Sequence, residues 1–201
     1  MENEGTRKRL AIFIDLNNVE FSIGQYREAG MILDYGHLIR TVSEGYDLQY
    51  VKVYDSIPSA GNDHLMELHR GLRESGMELI LKRPQAVEYN MKKTCEQKEV
   101  DTSLVVDVVS GAYEDLFDVA MIVSGDRDMR PAGECLQRIG KEAIYAAFYD
   151  VFCPELRDLS GSIILEDLYV LQASGYNDDP ECRSTVSQYA VSEEGGAAYG
   201  A

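Results

Sequence analysis

The sequence predicts an α/β sandwich built on a mainly parallel sheet, and three observations carry the prediction. Residues 10–14 and 119–123 are unbroken apolar runs of strand length, the pattern of strands buried on both faces. Each run ends at carboxylates, Asp15 after the first and Asp126 with Asp128 after the second. Between and beyond them, strand-like and helix-like segments alternate at spacings that suit right-handed βαβ crossovers. A chain of 201 residues suits one such domain with a substantial core. The expected division is a polar segment at 1–9, the domain at 10–173 and an acidic, disordered tail at 174–201, small and polar in composition.

Each element has its own local reason. Residues 10–14 form the first strand. Residues 19–26 read as a helix in which Phe21, Ile23 and Tyr26 share a buried side, broken at Gly30. Asp34 is an N-cap for a helix over 35–44, with Leu38, Ile39 and Val42 as its apolar stripe and Gly45 as its stop. Residues 48–54, rich in β-branched and aromatic side chains, form the second strand. Leu65, Leu68 and Leu72 define a helix over 63–74, closed by Gly76, and residues 77–81 form the third strand. Residues 82–98 are the basic stretch of the chain and read as an exposed loop with room for a short strand or two. A helix begins near Val100, because Leu104, Val105, Val108 and Ala112 keep a helical period, although local propensity alone favours a strand. The fourth strand is 119–123. Pro131 suits the first turn of a helix running to Ile139, and Gly140 ends it. The fifth strand is 142–147, a short helix covers 154–159, and 163–165 with 168–170 close the fold.

Composition narrows the function. The formal net charge is -16 and the sequence pI about 4.5, so the bulk surface repels nucleic acid, which counts against a protein that binds DNA or RNA by charge alone. An acid cluster can nevertheless hold divalent cations, and these bring phosphates to an acidic protein. Cys95, Cys135, Cys153 and Cys182 form no C-x-x-C pair, and the three histidines are scattered, so no zinc site is legible. His37, His64 and His69 fall on predicted helices, away from the acidic strand ends. The polar N-terminal segment and the absence of a membrane-length apolar run lead to the expectation of a soluble cytoplasmic protein.

Ligands of open α/β sheets bind beyond the carboxyl ends of the strands. If the first and fourth strands are neighbours, Asp15, Asp126 and Asp128 converge there, with Asp101 delivered by the helix that starts near Val100. Two carboxylates about 4 Å apart repel by roughly 4 kcal/mol at an effective dielectric near 20, so such a cluster requires protons or cations. Oxygen-only donors select Mg²⁺ or Mn²⁺ over zinc. Each acid also has a plain structural reading: Asp15 as a turn cap, Asp126 and Asp128 as turn acids, Asp101 at a helix N-terminus. Asp107 lies about 120° around the helix from Asp101 and about 9 Å along it, which suits a supporting role rather than the same ion. Asn18 either orients substrate or completes the turn. Lys98 and Arg127, the cations nearest the acids in sequence, are candidate phosphate contacts, ahead of Arg83, Lys92 and Lys93; a solvated face or a salt bridge is the commoner fate of such residues.

The blocks Phe13-Ile14-Asp15-Leu16-Asn17-Asn18-Val19, Lys98-Glu99-Val100-Asp101 with Asp107 six later, and Ile122-Val123-Ser124-Gly125-Asp126-Arg127-Asp128-Met129 with Gly140-Lys141 resemble the NYN domain family of PIN-like nucleases. The resemblance spans roughly residues 10–170, and Ser-Gly-Asp-x-Asp is its most specific part. It implies a PIN-like Rossmannoid three-layer sandwich with strand order 3-2-1-4-5, and a metal-dependent endoribonuclease acting on single-stranded or structured RNA. It implies that Asp15, Asp101, Asp126 and Asp128 hold Mg²⁺ or Mn²⁺ and that Asn18 and Lys98 stand near substrate; in the hydrolysis this suggests, Asp15 or Asp128 is a candidate base. Leu16 and Glu99 occupy positions where members often have Gly. A homodimer is compatible with the acidic surface, since a second subunit could supply basic residues. Two other readings stand beside this one. One is a nuclease fold kept as an RNA- or protein-binding regulatory module. The other is a haloacid-dehalogenase-like phosphatase, whose Asp-x-Asp motif has Asn17 at its second acid here.

Overall fold

The computed structural model describes residues 7–173 except 60, 84, 90, 91, 97, 160 and 169, with backbone alone over 85–98. The expected tail at 174–201 lies outside the described residues, as do residues 1–6.

The most apolar runs take the centre of the sheet, where both faces are covered. Strand β1 (Arg9–Asp15) pairs in parallel with β3 (Asp47–Ser56) on one side and β7 (Val119–Val123) on the other. Beyond them lie β4 (Glu78–Lys82) and β8 (Glu142–Ala147), and β9 (Ile163–Ile164) forms the far edge, so the sheet runs β4-β3-β1-β7-β8-β9. For the five expected strands this is the order 3-2-1-4-5, with one short strand added. Winding reverses between β1 and β7, and the crevice therefore opens at their C-terminal ends.

Alternation along the strands sorts the core into two layers. Leu10, Ile12 and Ile14 of β1 and Met121 of β7 pack under α1 (Leu16–Glu28), α2 (Tyr35–Val42) and α3 (Asp63–Glu74). Ala11, Phe13 and Ile122 face α4 (Lys98–Tyr113) and α5 (Arg130–Arg138). Helix α4 forms despite its β-branched residues because Val105 and Val109 pack against that second layer together with Val100, Leu104, Val108 and Ala112, a mixture of odd and even positions that one face of a strand could not present. Among the described residues no helix is long and apolar enough to cross a membrane.

Several boundaries differ from expectation for local reasons. Helix α1 starts at Leu16, directly after β1, because the Asp15 side chain caps it. Within it Leu16, Val19, Ser22 and Ile23 are buried while Phe21 is 78% exposed. The expected sharing of a buried side by Phe21 and Ile23 fails because two residues span about 200° of a helix. Helix α2 ends at Val42, and Gly45 turns the chain with φ +85°. Residues 31–33, to which the sequence assigns no element, form β2 (Met31–Leu33), antiparallel to β10 (Leu171–Ala173), the strand expected slightly earlier. The basic stretch forms an antiparallel hairpin of β5 (Gln85–Tyr89) and β6 (Lys92–Glu96). It leaves the C-terminal end of β4 and leads into the N-terminus of α4.

One close approach fixes the end of β7. After β8 the chain makes a 3₁₀ turn, Tyr149–Val151, before α6 (Pro154–Arg157), and this turn lies on Gly125. A Cβ at position 125 would stand 2.3 Å from the Val151 carbonyl oxygen, and the Cys153 N–H donates to the Gly125 carbonyl at 3.0 Å. We therefore expect Gly125→Ala to lose about 1–3 kcal/mol through overpacking against backbone. Gly71→Ala, in open space on α3, should instead gain about 0.5–1 kcal/mol. Urea denaturation of the two variants checks both signs.

Candidate active site

Asp15 ends a central strand with its carboxylate almost wholly removed from water, at 4% exposure. Its Oδ1 accepts the Asn18 N–H at 3.2 Å, and its Oδ2 accepts the Ser124 hydroxyl at 2.9 Å. Burial pushes its pKa up to about 6; the two hydrogen bonds pull it down, and the charges of Asp101 and Asp126 push it up further. Ser124 is fully buried, and its Oγ in turn accepts the Asp126 N–H at 3.2 Å. The Asn18 side-chain carbonyl accepts the Gly125 N–H at 2.9 Å. The first turn of α1 and the end of β7 are thereby tied together through three side chains, so the crevice has a fixed floor.

The other acids surround that floor. Asp101 sits in the first turn of α4, and its pKa is raised by burial first, then by Asp126 and Asp128. Asp126 caps the 3₁₀ turn Arg127–Met129, its Oδ1 accepting the Asp128 N–H at 2.9 Å. Both Asp126 and Asp128 are exposed. Asp15 and Asp126 thus perform the capping roles their plain readings assign, and they do so beside one another and Asp101.

Charge pairing separates this edge of the sheet from the opposite one. At the N-terminal ends of β1 and β7, Arg9 bonds Asp115 at 2.9 Å and Asp118 at 2.8 Å, and Lys141 pairs with both acids. Those partners hold the Asp118 carboxyl below its ordinary range. Among the described residues no cation forms an ion pair with Asp15, Asp101, Asp126 or Asp128. Arg127 is turned to Glu155 at 3.6 Å, both exposed. Lys98 begins α4, but its side chain lies outside the described residues, as do those of Lys92 and Lys93 on β6.

Asp107 stands apart from the cluster, as the helix geometry requires. Its Oδ2 accepts the Tyr54 hydroxyl at 2.7 Å and the Lys52 ammonium at 3.2 Å, which anchors α4 to β3. The expectation for the histidines needs correction at one position. The His69 Nε2 lies 2.8 Å from Asp55 at the end of β3, and both side chains are buried. An acid following a strand, with a histidine on the next helix, was the signal available for that pair. It joins α3 to β3 on the layer of the sheet opposite α4. Ser124, not singled out among the expected site residues, is the hinge of the hydrogen-bonded floor; its place beside Gly125-Asp126 was its signal.

The donors suit a hard divalent cation in chemistry: four carboxylates, no described counter-cation, and a buried member whose ionisation its neighbours oppose. Among the described residues, however, no three His, Cys, Asp or Glu side chains already stand close enough to hold a metal ion.

Comparison with known proteins supplies the lineage. A search of curated proteins finds no match to the chain. The crystal structure of a protein of unknown function from Vibrio parahaemolyticus superposes with a TM-score of 0.64 at 20% identity, over 82% of this chain and 95% of that one. This likeness shows the fold. A second structure, AtPrR2 in apo form, aligns at 12% identity with a TM-score of 0.35, over 77% of this chain and 42% of that one. The family model for the NYN domain matches residues 9–163, which include β1, α4, β7 and all four acids. The chain belongs to the NYN domain family, a PIN-like nuclease-type domain.

Proposed function

We propose that this protein is a metal-dependent endoribonuclease whose Asp15, Asp101, Asp126 and Asp128 hold Mg²⁺ or Mn²⁺. The observation that carries the reading is that Asp15, Asp101, Asp126 and Asp128 lie at one edge of the sheet within electrostatic reach of their neighbours, with no described cation to balance them. When bound there, such an ion lowers the pKa of water and neutralises charge on the phosphodiester. The protein's part is positional. Ser124 and the Asn18 N–H hold the Asp15 carboxylate in one orientation, so it reorganises little during reaction. Asp128, exposed and free to turn, is the better placed of the two candidate bases to take a proton from an attacking water. Asn18 spends its carbonyl on Gly125 and keeps its NH₂ for a phosphate oxygen. Arg127 can exchange Glu155 for phosphate at little cost, because exposed ion pairs are worth about 0–1 kcal/mol. Lys98 is proposed as a further phosphate contact. The free thiols of Cys135 and Cys153 suit a reducing cytoplasm.

A second reading has one observation in its favour. Because no three ligating side chains are already gathered among the described residues, the fold could serve as an RNA-binding regulatory module without hydrolysis. Cleavage separates the two. Wild type and Asp126→Asn should be incubated with labelled single-stranded RNA, hairpin RNA and single-stranded DNA in Mn²⁺, Mg²⁺ or EDTA. The expected result is RNA cleavage that EDTA abolishes. Asp126→Asn should reduce it by roughly 100-fold or more, at or beyond the 10–100-fold typical of outer-shell partners. Equal inertness of both proteins, with metal still bound, sinks the nuclease reading.

The buried acid gives a test that needs no substrate. A carboxylate whose folded pKa is raised stabilises the fold fully below its unfolded pKa, and that contribution is lost as pH rises through the folded value. For Asp15 the window runs from about 4 to about 6, and a shift of that size corresponds to about 3 kcal/mol. In EDTA, Asp15→Asn should match wild type near pH 4 and exceed it by up to about 3 kcal/mol at pH 7.5. Urea titrations at the two pH values measure this; a stability difference that does not grow with pH contradicts it.

A further inference from the structure

We propose that Phe21 and Tyr149 form a pair of base-stacking platforms beside the acidic crevice, and that they select single-stranded RNA over duplex. The inference rests on the ribonuclease reading and names the substrate class of that site.

The first observation is the position of Phe21. Its ring is 78% exposed on a helix whose neighbouring turns bury Leu16, Val19 and Ile23. Helical side chains slope toward the N-terminus, so this ring leans over the turn that carries Asn17 and Asn18, toward the crevice. The second is the turn after β8. Asn17, Phe21 and Gln25 share one face of α1 at four-residue spacing. Gln25 donates to Asp150 at 3.2 Å, which sets the turn Tyr149–Val151 beside that face. Tyr149, 48% exposed, is therefore on the same rim as Phe21.

The third observation is that this turn is rigidly seated. The Tyr149 N–H donates to the Glu166 carboxylate at 3.0 Å, the Tyr26 hydroxyl donates to the same carboxylate at 3.0 Å, and the Val151 carbonyl packs on Gly125. A ring carried by such a turn is held for binding at little further entropic cost. The Arg157 guanidinium lies 4.7 Å from the centre of the Tyr149 ring, covering one side and leaving the remainder of the ring exposed.

Charge decides what these rings are suited to meet. A surface of net charge -16 gives little electrostatic attraction for phosphates, whereas stacking on an aromatic ring is available to every base irrespective of charge. Only unpaired bases present free faces, since a duplex keeps its faces within its own stack. Two rings beside the carboxylates would hold bases on either side of the phosphodiester that the crevice receives.

The test uses the full chain and a single-stranded RNA of about ten nucleotides containing 2-aminopurine, titrated in EDTA so that metal-dependent cleavage is absent. A hairpin of equal length is the duplex comparison. Wild type should quench the probe and bind the single strand more tightly than the hairpin. Phe21→Ala and Tyr149→Ala should each weaken binding roughly 5- to 150-fold, the scale of one lost base stack. Phe21→Trp should retain affinity. Tyr113→Ala, 66% exposed at the far end of α4, should bind as wild type does. Unchanged affinity in both alanine variants, equal affinity for strand and hairpin, or no RNA binding by wild type would each overturn the proposal. Cleavage in Mn²⁺, measured in parallel, keeps the two readings apart. Cleavage with no effect of Phe21 or Tyr149 on binding removes stacking alone, whereas stacking-dependent binding without cleavage removes the ribonuclease reading alone.

Discussion

The buried carboxylate of Asp15 is the constraint around which the rest of the site is arranged. A charge carried below the surface requires fixed donors, and the chain supplies two: a backbone N–H from the first turn of α1 and a hydroxyl from the end of β7. Each donor imposes a further condition. The N–H requires α1 to begin immediately after β1, without a loop. The hydroxyl requires β7 to run parallel beside β1, in the register that aligns Ile14 with Val123 and so brings Ser124 next to Asp15. Gly125 then has to lack a side chain, because the turn after β8 closes over it. The Ser-Gly-Asp block thus has a physical reason at every letter: a donor to Asp15, a surface for Val151, and a carboxylate beyond both.

The two edges of the sheet show how selectively charge is balanced. The acids where β1 and β7 begin are paired with Arg9 and Lys141, and Asp107 in the helix layer has Lys52 and Tyr54. These interactions hold strands and helices in register and require nothing from outside the protein. The acids where β1 and β7 end have backbone and hydroxyl donors but no described cation. Burial first, and like charges without compensation second, oppose ionisation there, and the raised pKa of Asp15 expresses that cost. Under the ribonuclease reading, the unbalanced edge is the one that receives the ligand.

Much of this was legible in the sequence because the signals were periodic or abrupt. The runs at β1 and β7 could be read as doubly buried strands, and their sudden termination at carboxylates located the crevice. Asp34 and the extents of α3 and β8 followed from capping residues and from glycines that stop helices. What escaped depended on tertiary context. The pairing of β2 with β10 joins residues about 140 apart, and neither three-residue segment carries a period of its own. Phe21 reads as core on hydrophobicity alone, and only its angle around the helix sets it outside. The His69–Asp55 contact joins a strand end to the helix that follows it, and neither residue signals the pairing alone. The sequence offers four carboxylates and Asn18 as candidates, but the hydroxyl of Ser124 that orients Asp15 follows only from β7 lying beside β1.

The same arithmetic of charge limits how such a protein could engage RNA. Arg9, Lys52 and Lys141 already face acids, and the chain as a whole carries a formal net charge of -16, so its surface has little positive charge to set against phosphates. A binding surface of this kind cannot draw its affinity mainly from counterion release, which scales with the number of phosphates neutralised. Under the ribonuclease reading two sources remain: divalent cations held by the acid cluster, and contacts indifferent to charge. The first is local to one or two phosphates and reads no sequence. The second acts on bases and requires them to be unpaired. An acidic NYN domain would thus gain discrimination from its weakness toward phosphate, since RNA that offers no exposed base would have little to hold it at the crevice.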